Sequence, residues 1–185
     1  MQLREETPKP QSFSLICEKT KRGAARRKGA EKKMNYYLAP HGGNYGIYLQ
    51  KCLRQHFGGV KKYFTPFLVP HTKKDFNTRE KNDILPAHNP GMNLVPQILT
   101  NDAKGFLDTV EKLKGYGYDE VNLNLGCPSK TVVSKGRGSG FLIHTEELNR
   151  FLDEIYAKAD VKISIKTRIG KFDADEWGEL LRIYN

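Results

Sequence analysis

Val121-Asn122-Leu123-Asn124-Leu125-Gly126-Cys127-Pro128-Ser129 alternates apolar and polar residues and then halts at a Gly-Cys-Pro turn. The cationic, glycine-rich segment Lys135-Gly136-Arg137-Gly138-Ser139-Gly140 follows it. Alternation of period two is the pattern of a β-strand, and the turn ends it. The arrangement places the Cys127 thiol at the carboxyl end of a strand, beside backbone that can approach a bulky ligand. In α/β folds that edge of the sheet carries the chemistry. An aliphatic side chain there would be core only; a thiol there is a candidate site.

On both sides of this run, strand and helix patterns alternate. Asn35 to Pro40, Lys62 to Pro66 and Asn93 to Ile98 read as three earlier strands, the last with an irregularity at Pro96. Val161 to Lys166 reads as a fifth. Between them, Tyr45, Leu49, Cys52, Leu53 and His56 recur at helical spacing, with Gly58-Gly59 as the stop. A short helix is expected near Thr78 to Leu85. Thr100 or Asn101 caps a helix with Phe106, Leu107, Val110 and Leu113 on one face. Thr145 caps one carrying Leu148, Phe151, Leu152, Ile155 and Tyr156. Asp173 with Glu176 forms a capping box before Trp177, Leu180, Leu181 and Tyr184.

Such β-α alternation implies parallel strands with right-handed crossovers. Five units fit either an open doubly wound sheet or part of a (β/α)8 barrel. A whole barrel takes about 250 residues, so a barrel reading of residues 34–185 leaves roughly three units outside it.

Composition narrows the classes. The chain has 185 residues, 38% hydrophobic and 28% charged, which is the balance of a soluble globular domain and not of a disordered one. No apolar run approaches a membrane span, and Phe13 to Cys17 is too short for a signal-peptide centre. Cys17, Cys52 and Cys127 are odd in number and widely spaced, with no C-x-x-C pair, so free thiols in a reducing cytoplasm are expected and no metal is implied. Residues 1–33 hold ten Lys/Arg against four Asp/Glu, a net of +6, leaving +4 of the total +10 for the rest. With no apolar periodicity, 1–33 is expected to be a basic, disordered extension, and 34–185 the folded domain.

Asn122 to Leu142, N-L-N-L-G-C-P-S-K followed by K-G-R-G-S-G-F-L, resembles the tRNA-dihydrouridine synthases. The likeness continues in Leu38-Ala39-Pro40, Val95-Pro96-Gln97-Ile98 and Ile165-Lys166-Thr167-Arg168. The resemblance implies an FMN-binding TIM barrel, here about five βα units of it, with the later strands and a helical tRNA-binding domain missing after Asn185. It implies NADPH-driven reduction of the uracil C5–C6 bond in tRNA, hydride coming from the flavin to C6 and a proton from a side chain to C5.

Carried over residue by residue, Cys127 matches the proton donor; an ordinary thiol is mostly protonated at neutral pH and can act as an acid. Gln97 matches the residue that hydrogen-bonds the flavin ring, its amide offering both donor and acceptor. Lys166 matches the lysine at the flavin's N1–O2 edge. Asn124, Lys135 and Arg168 match positions near the tRNA nucleotide, where Asn124 orients a flipped uracil and Lys135 meets phosphate. For these three a structural or solvated role is an equal alternative.

Pro40, His41 and Gly42 occupy the first flavin-contact turn, where the family usually has methionine in place of His41 and a Thr-Asp pair further on. An N-x-x-C-P strand end is also similar to the dihydroorotate dehydrogenases, so a flavin barrel acting on a free pyrimidine is one alternative. A non-catalytic fragment of a tRNA enzyme, with RNA affinity from its basic extension, is the other.

Overall fold

Pro96 has no N–H to give a neighbouring strand, and the third expected strand breaks there. The computed structural model describes residues 15–18, 35–40, 46–71 and 75–185. Within it Leu94–Val95 (β4) pairs with Val60–Phe64 (β3), which pairs in turn with Tyr36–Leu38 (β2). Gln97–Ile98 (β5) pairs instead with Glu120–Leu125 (β6), and β6 with Lys162–Thr167 (β7). All of these pairings are parallel. Bonds around the proline knit the two groups together. Thr65 N–H donates to the Val95 carbonyl at 3.1 Å, and Asn122 N–H to the Pro96 carbonyl at 2.8 Å. The Gln97 N–H turns to Thr65 Oγ1 at 3.0 Å. The parallel strands therefore neighbour one another in chain order.

Among the described residues six α-helices accompany them: Gly46–His56 (α1), Thr78–Ile84 (α2), Ala103–Gly115 (α3), Lys130–Val133 (α4), Thr145–Lys158 (α5) and Trp177–Tyr184 (α6). One face of β6 and β7 supplies Val121, Leu123, Leu125, Ile163 and Ile165. These pack with Phe106, Val110 and Leu113 of α3 and with Leu148, Phe151, Leu152 and Ile155 of α5. The Phe141 and Phe151 rings meet edge to face, centroids 5.4 Å apart. Each such aliphatic or aromatic side chain contributes about 1.5–3 kcal/mol by leaving water. This core is what holds the opposite, polar face of the same two strands in place. At its amino-terminal end that face carries Glu120, whose carboxylate takes Lys62 Nζ at 2.9 Å, with both side chains largely buried.

Several expectations need correction. Among residues 1–33, Leu15–Glu18 is not disordered: it forms a strand (β1) running antiparallel along the outer edge of β7, Leu15 opposite Thr167 and Glu18 opposite Ser164. The remainder of 1–33 lies outside the described residues. The helical spacing in α1 does not mark a buried stripe. Among the described α1 side chains Tyr48, Leu49 and Cys52 are exposed, Leu53 is half-buried, and Gln50 is buried, donating to the Phe64 carbonyl. The α3 cap is Asp102, whose carboxylate accepts from Gly105 N–H at 3.0 Å, while Thr100 Oγ1 accepts from Asp102 N–H. Thr145 is the first residue of α5, after His144, and makes no capping bond. The Asp173/Glu176 capping box is present as expected, and Gly59, at φ +95°, makes the turn from α1 into β3.

Tyr118 ties the turn before β6 to the end of α2 by donating its hydroxyl to the Ile84 carbonyl. Burial pushes its pKa up from 10.0 to about 12. Above pH 10 the unfolded chain loses this proton while the folded chain keeps it, so the contribution is complete below 10 and is lost as pH rises towards 12. Tyr118→Phe is expected to cost about 1 kcal/mol at neutral pH. It should also remove part of the alkaline fall in stability; urea midpoints of both proteins across that range give the check.

Candidate active site

Because side chains alternate along a strand, Asn122 and Asn124 share one face of β6, and Ser164 and Lys166 share the matching face of β7. Register sets Asn122 between Gln97 and Ser164, and Asn124 beside Lys166. The side chains close into a buried ladder. Gln97 Nε2 donates to Asn122 Oδ1 at 2.8 Å, Asn124 Nδ2 donates to Gln97 Oε1 at 2.8 Å, and Asn122 Nδ2 donates to Ser164 Oγ at 2.9 Å. Gln97, Asn122 and Ser164 are wholly buried, and Asn124 nearly so. Amides in an apolar sheet survive only when paired in this way.

The ladder ends at the thiol. Asn124 Oδ1 accepts the backbone N–H groups of Gly126 (3.1 Å) and Cys127 (3.0 Å), so one side chain both joins Gln97 and shapes the turn that carries the sulfur. From the other side, Ser139 N–H donates to the Cys127 carbonyl at 3.0 Å. The glycine-rich loop lies flat on this turn. A Cβ at Gly138, itself at φ +55°, would sit 2.7 Å from the Cys127 carbonyl oxygen and 3.0 Å from its Cβ. Cys127 is a free thiol, partly exposed at the strand end.

Two cations flank it. Arg168 Nε donates to the Gly126 carbonyl at 2.8 Å. Lys166 is half-buried, and its pKa is held below the ordinary lysine value first by burial and then by Arg168, with Cys127 pulling the other way. An ammonium in that setting gains from any anion placed against it.

The structure thus gathers Gln97, Asn124, Cys127, Lys166 and Arg168 at one sheet edge. Lys135 stands exposed in the loop; its carbonyl accepts from Asn101 Nδ2 at 3.2 Å. Pro40 is half-buried just past β2, two strands away from β5. His41 and Gly42 lie outside the described residues. Sequence reasoning missed Asn122 and Ser164, although the same alternation that flags Asn124 and Lys166 places them on the site face. It also missed Asn101, which holds the loop through Lys135 and accepts from Arg137 Nε at 3.3 Å.

A model of the dihydrouridine synthase (Dus) family matches residues 48–183, most of the chain and all of this constellation. The chain belongs to the dihydrouridine synthase family. A probable tRNA-dihydrouridine synthase of Staphylococcus aureus (strain Mu50 / ATCC 700699) is 30% identical over 89 residues, 48% of this chain and 27% of that protein. Its counterpart in Staphylococcus epidermidis (strain ATCC 12228 / FDA PCI 1200) is 32% identical over 89 residues, with the same shares. The tRNA-dihydrouridine(20/20a) synthase of Shewanella oneidensis is 38% identical over 61 residues, 33% of this chain and 18% of that protein. The matched part of this Dus-family chain therefore spans about a quarter of the staphylococcal proteins' length. Among its described residues no helix is long and apolar enough to cross a membrane, and no group of three or more His, Cys, Asp or Glu could hold a metal ion.

Proposed function

We propose that this chain forms the flavin- and uridine-binding part of a tRNA-dihydrouridine synthase, an FMN-dependent, NADPH-driven enzyme that reduces uridine in tRNA to 5,6-dihydrouridine. The observation that carries the reading is the Cys127 turn, fixed by Asn124 on one side and Ser139 on the other, next to Lys166. The parallel strands β2 to β7, with β4 and β5 the two halves of one strand broken at Pro96, run in chain order and favour the first five units of a (β/α)8 barrel, since an open doubly wound sheet reverses its order at a switch point.

The residues present suit the cofactor. Lys166 offers a partly desolvated cation for the anionic side of a flat ring, and it stands beside the ladder that Gln97 closes with both ends of its amide. When bound, FMN reduced by NADPH supplies the hydride that adds to C6 of uracil. Everything else falls to the chain. Lys166 would hold the ring, Gln97 would support it from beneath through the ladder, and Asn124 would keep the Cys127 turn facing the pyrimidine. Cys127 passes its S–H proton to C5, so the uracil double bond takes up one hydride and one proton. The thiolate left behind faces Lys166 until solvent returns a proton. Arg168 and the exposed Lys135 are placed to meet the phosphates of the tRNA strand.

Lys166→Ala is expected to weaken FMN binding at least about tenfold, because a charge-assisted contact is lost. Equilibrium dialysis read by flavin absorbance provides the measurement, and equal occupancy in the two proteins would remove this assignment.

A further inference from the structure

The chain leaves β7 at the same carboxyl edge that carries Cys127, and Arg168 Nε ties that exit to the Cys127 turn through the Gly126 carbonyl. The loop of residues 168–173 follows. Within it Phe172 is 81% exposed, more than any other large apolar side chain among the described residues, and Ile169 of the same loop is exposed too. The loop is not slack. Glu176 folds back so that its carboxylate accepts three successive backbone N–H groups, those of Lys171 (2.6 Å), Phe172 (3.0 Å) and Asp173 (3.0 Å). Burial pushes the Glu176 pKa up, but these three bonds outweigh it and hold the carboxyl below the ordinary glutamate value. The clasp therefore stays charged and closed at neutral pH. Gly170 lies against the Asp173 carbonyl with no room for a Cβ, so the loop is also closed on itself. Lys171 Nζ stands 5.5 Å from the centre of the Phe172 ring.

Fixing backbone costs about 1–2 kcal/mol per residue, and a phenyl ring left in water returns none of it through burial. Joining β7 to α6 needs no aromatic at that place. A fixed ring in water with a cation at its side is the pairing that single-stranded nucleic acids use, base on ring and phosphate near cation. The neighbouring carboxylates decide which of the two dominates. Asp173, Asp175 and Glu176 all follow within four residues of Phe172 and offset the charge of Lys171. The ring, not the charge, must carry the contact.

We propose that Phe172 is a stacking platform for an RNA base, that of the nucleotide beside the uridine entering the Cys127 site. The proposal rests on the tRNA reading above. A uridine that reaches the flavin leaves its own stack, and its neighbour then loses a stacking partner. An aromatic ring held at the same sheet edge replaces that partner.

The test is fluorescence anisotropy of the full chain with a labelled single-stranded RNA in which adenosines flank one uridine. A second RNA carries abasic residues in place of the flanking adenosines. Phe172→Leu is expected to weaken binding of the first RNA at least about fivefold, the lower end of what one stacked base contributes. Phe172→Trp should bind as tightly as the parent, because it keeps a π-face. The parent should prefer the intact RNA to the abasic one by a similar factor, and Phe172→Leu should lose that preference. The loss in Phe172→Leu should be the same at low and at physiological salt, since stacking releases no counterions. FMN binding should be equal in Phe172→Leu and the parent. No RNA binding, equal affinity of the leucine variant and the parent, leucine as good as tryptophan, abasic RNA bound as well as intact RNA, or a loss that vanishes with added salt would each overturn the proposal. RNA binding that depends on Phe172 in a chain that takes up no FMN would support this contact and contradict the flavin reading instead.

Discussion

Replacing Cys127 by alanine is expected to slow dihydrouridine formation in tRNA by about two to four orders of magnitude, the usual worth of a positioned general acid. Flavin reduction by NADPH should continue at the parent rate, because in the proposed reaction the thiol enters only when the pyrimidine is reduced. The two rates can be read separately: NADPH consumption under anaerobic conditions for the first half-reaction, and nucleoside mass spectrometry of digested tRNA for the second. The structure makes the split a sharp one. The Cys127 backbone is held through its own N–H and carbonyl groups, by Asn124 and Ser139, and neither bond involves the side chain. The alanine variant therefore keeps the turn, the loop and Lys166 where they are, and removes only the proton. Unchanged turnover of tRNA would strip Cys127 of its role. Loss of flavin reduction as well would mean that the thiol supports the site's shape.

Gln97→Leu carries the largest expected effect on stability. The substitution is nearly isosteric, yet it leaves Asn122 Oδ1 and Asn124 Nδ2 without their partner inside the sheet. Each buried orphan costs about 1–3 kcal/mol, so the loss should be about 2–5 kcal/mol by urea denaturation. Removing both ends of one bond is cheaper than removing one. Gln97→Leu/Asn122→Leu should therefore be less destabilised than the sum of the single variants, and the cycle measures that coupling. A loss well under 1 kcal/mol for Gln97→Leu would show that the ladder is not a stabilising network. The same variant also tests how far the thiol depends on the sheet, because Asn124 grips Gln97 with its nitrogen and the Cys127 turn with its oxygen.

Much of this arrangement was legible in the sequence, and the exceptions have physical causes. Strands β6 and β7 announce themselves by alternation, and Pro96 forecasts the break between β4 and β5 because it lacks a donor. Cys127 could be placed at the sheet edge from its position at a strand end, whereas Gln97 and Lys166 joined it through the family resemblance. Asn122 and Ser164 were equally readable, one pleat further down, but attention to the strand ends passed over them. Helix α1 misled because spacing defines a face without saying what lies on it: Leu49 and Cys52 follow the helical period and are exposed, whereas polar Gln50 is buried. At the start of α3, Thr100 and Asn101 were the expected caps, and their neighbour Asp102 takes the role instead. Asp102 caps, Thr100 steadies Asp102, and Asn101 reaches across to the glycine-rich loop, a division of labour set by contacts more than thirty residues away. The pairing of Leu15–Glu18 with β7 is likewise invisible locally, since an edge strand is chosen by its partner.

The claim on which the rest depends is that the amide ladder beside Cys127 is the floor of a flavin site. Titrating FMN into the chain while following the side-chain amide resonances of Gln97, Asn122 and Asn124 tests it most directly. The account predicts that the Gln97 and Asn124 signals move in step with the change in flavin absorbance, and that both responses weaken together in Lys166→Ala. Flavin that binds while these amides stay still, or that binds equally well without the lysine, would contradict it.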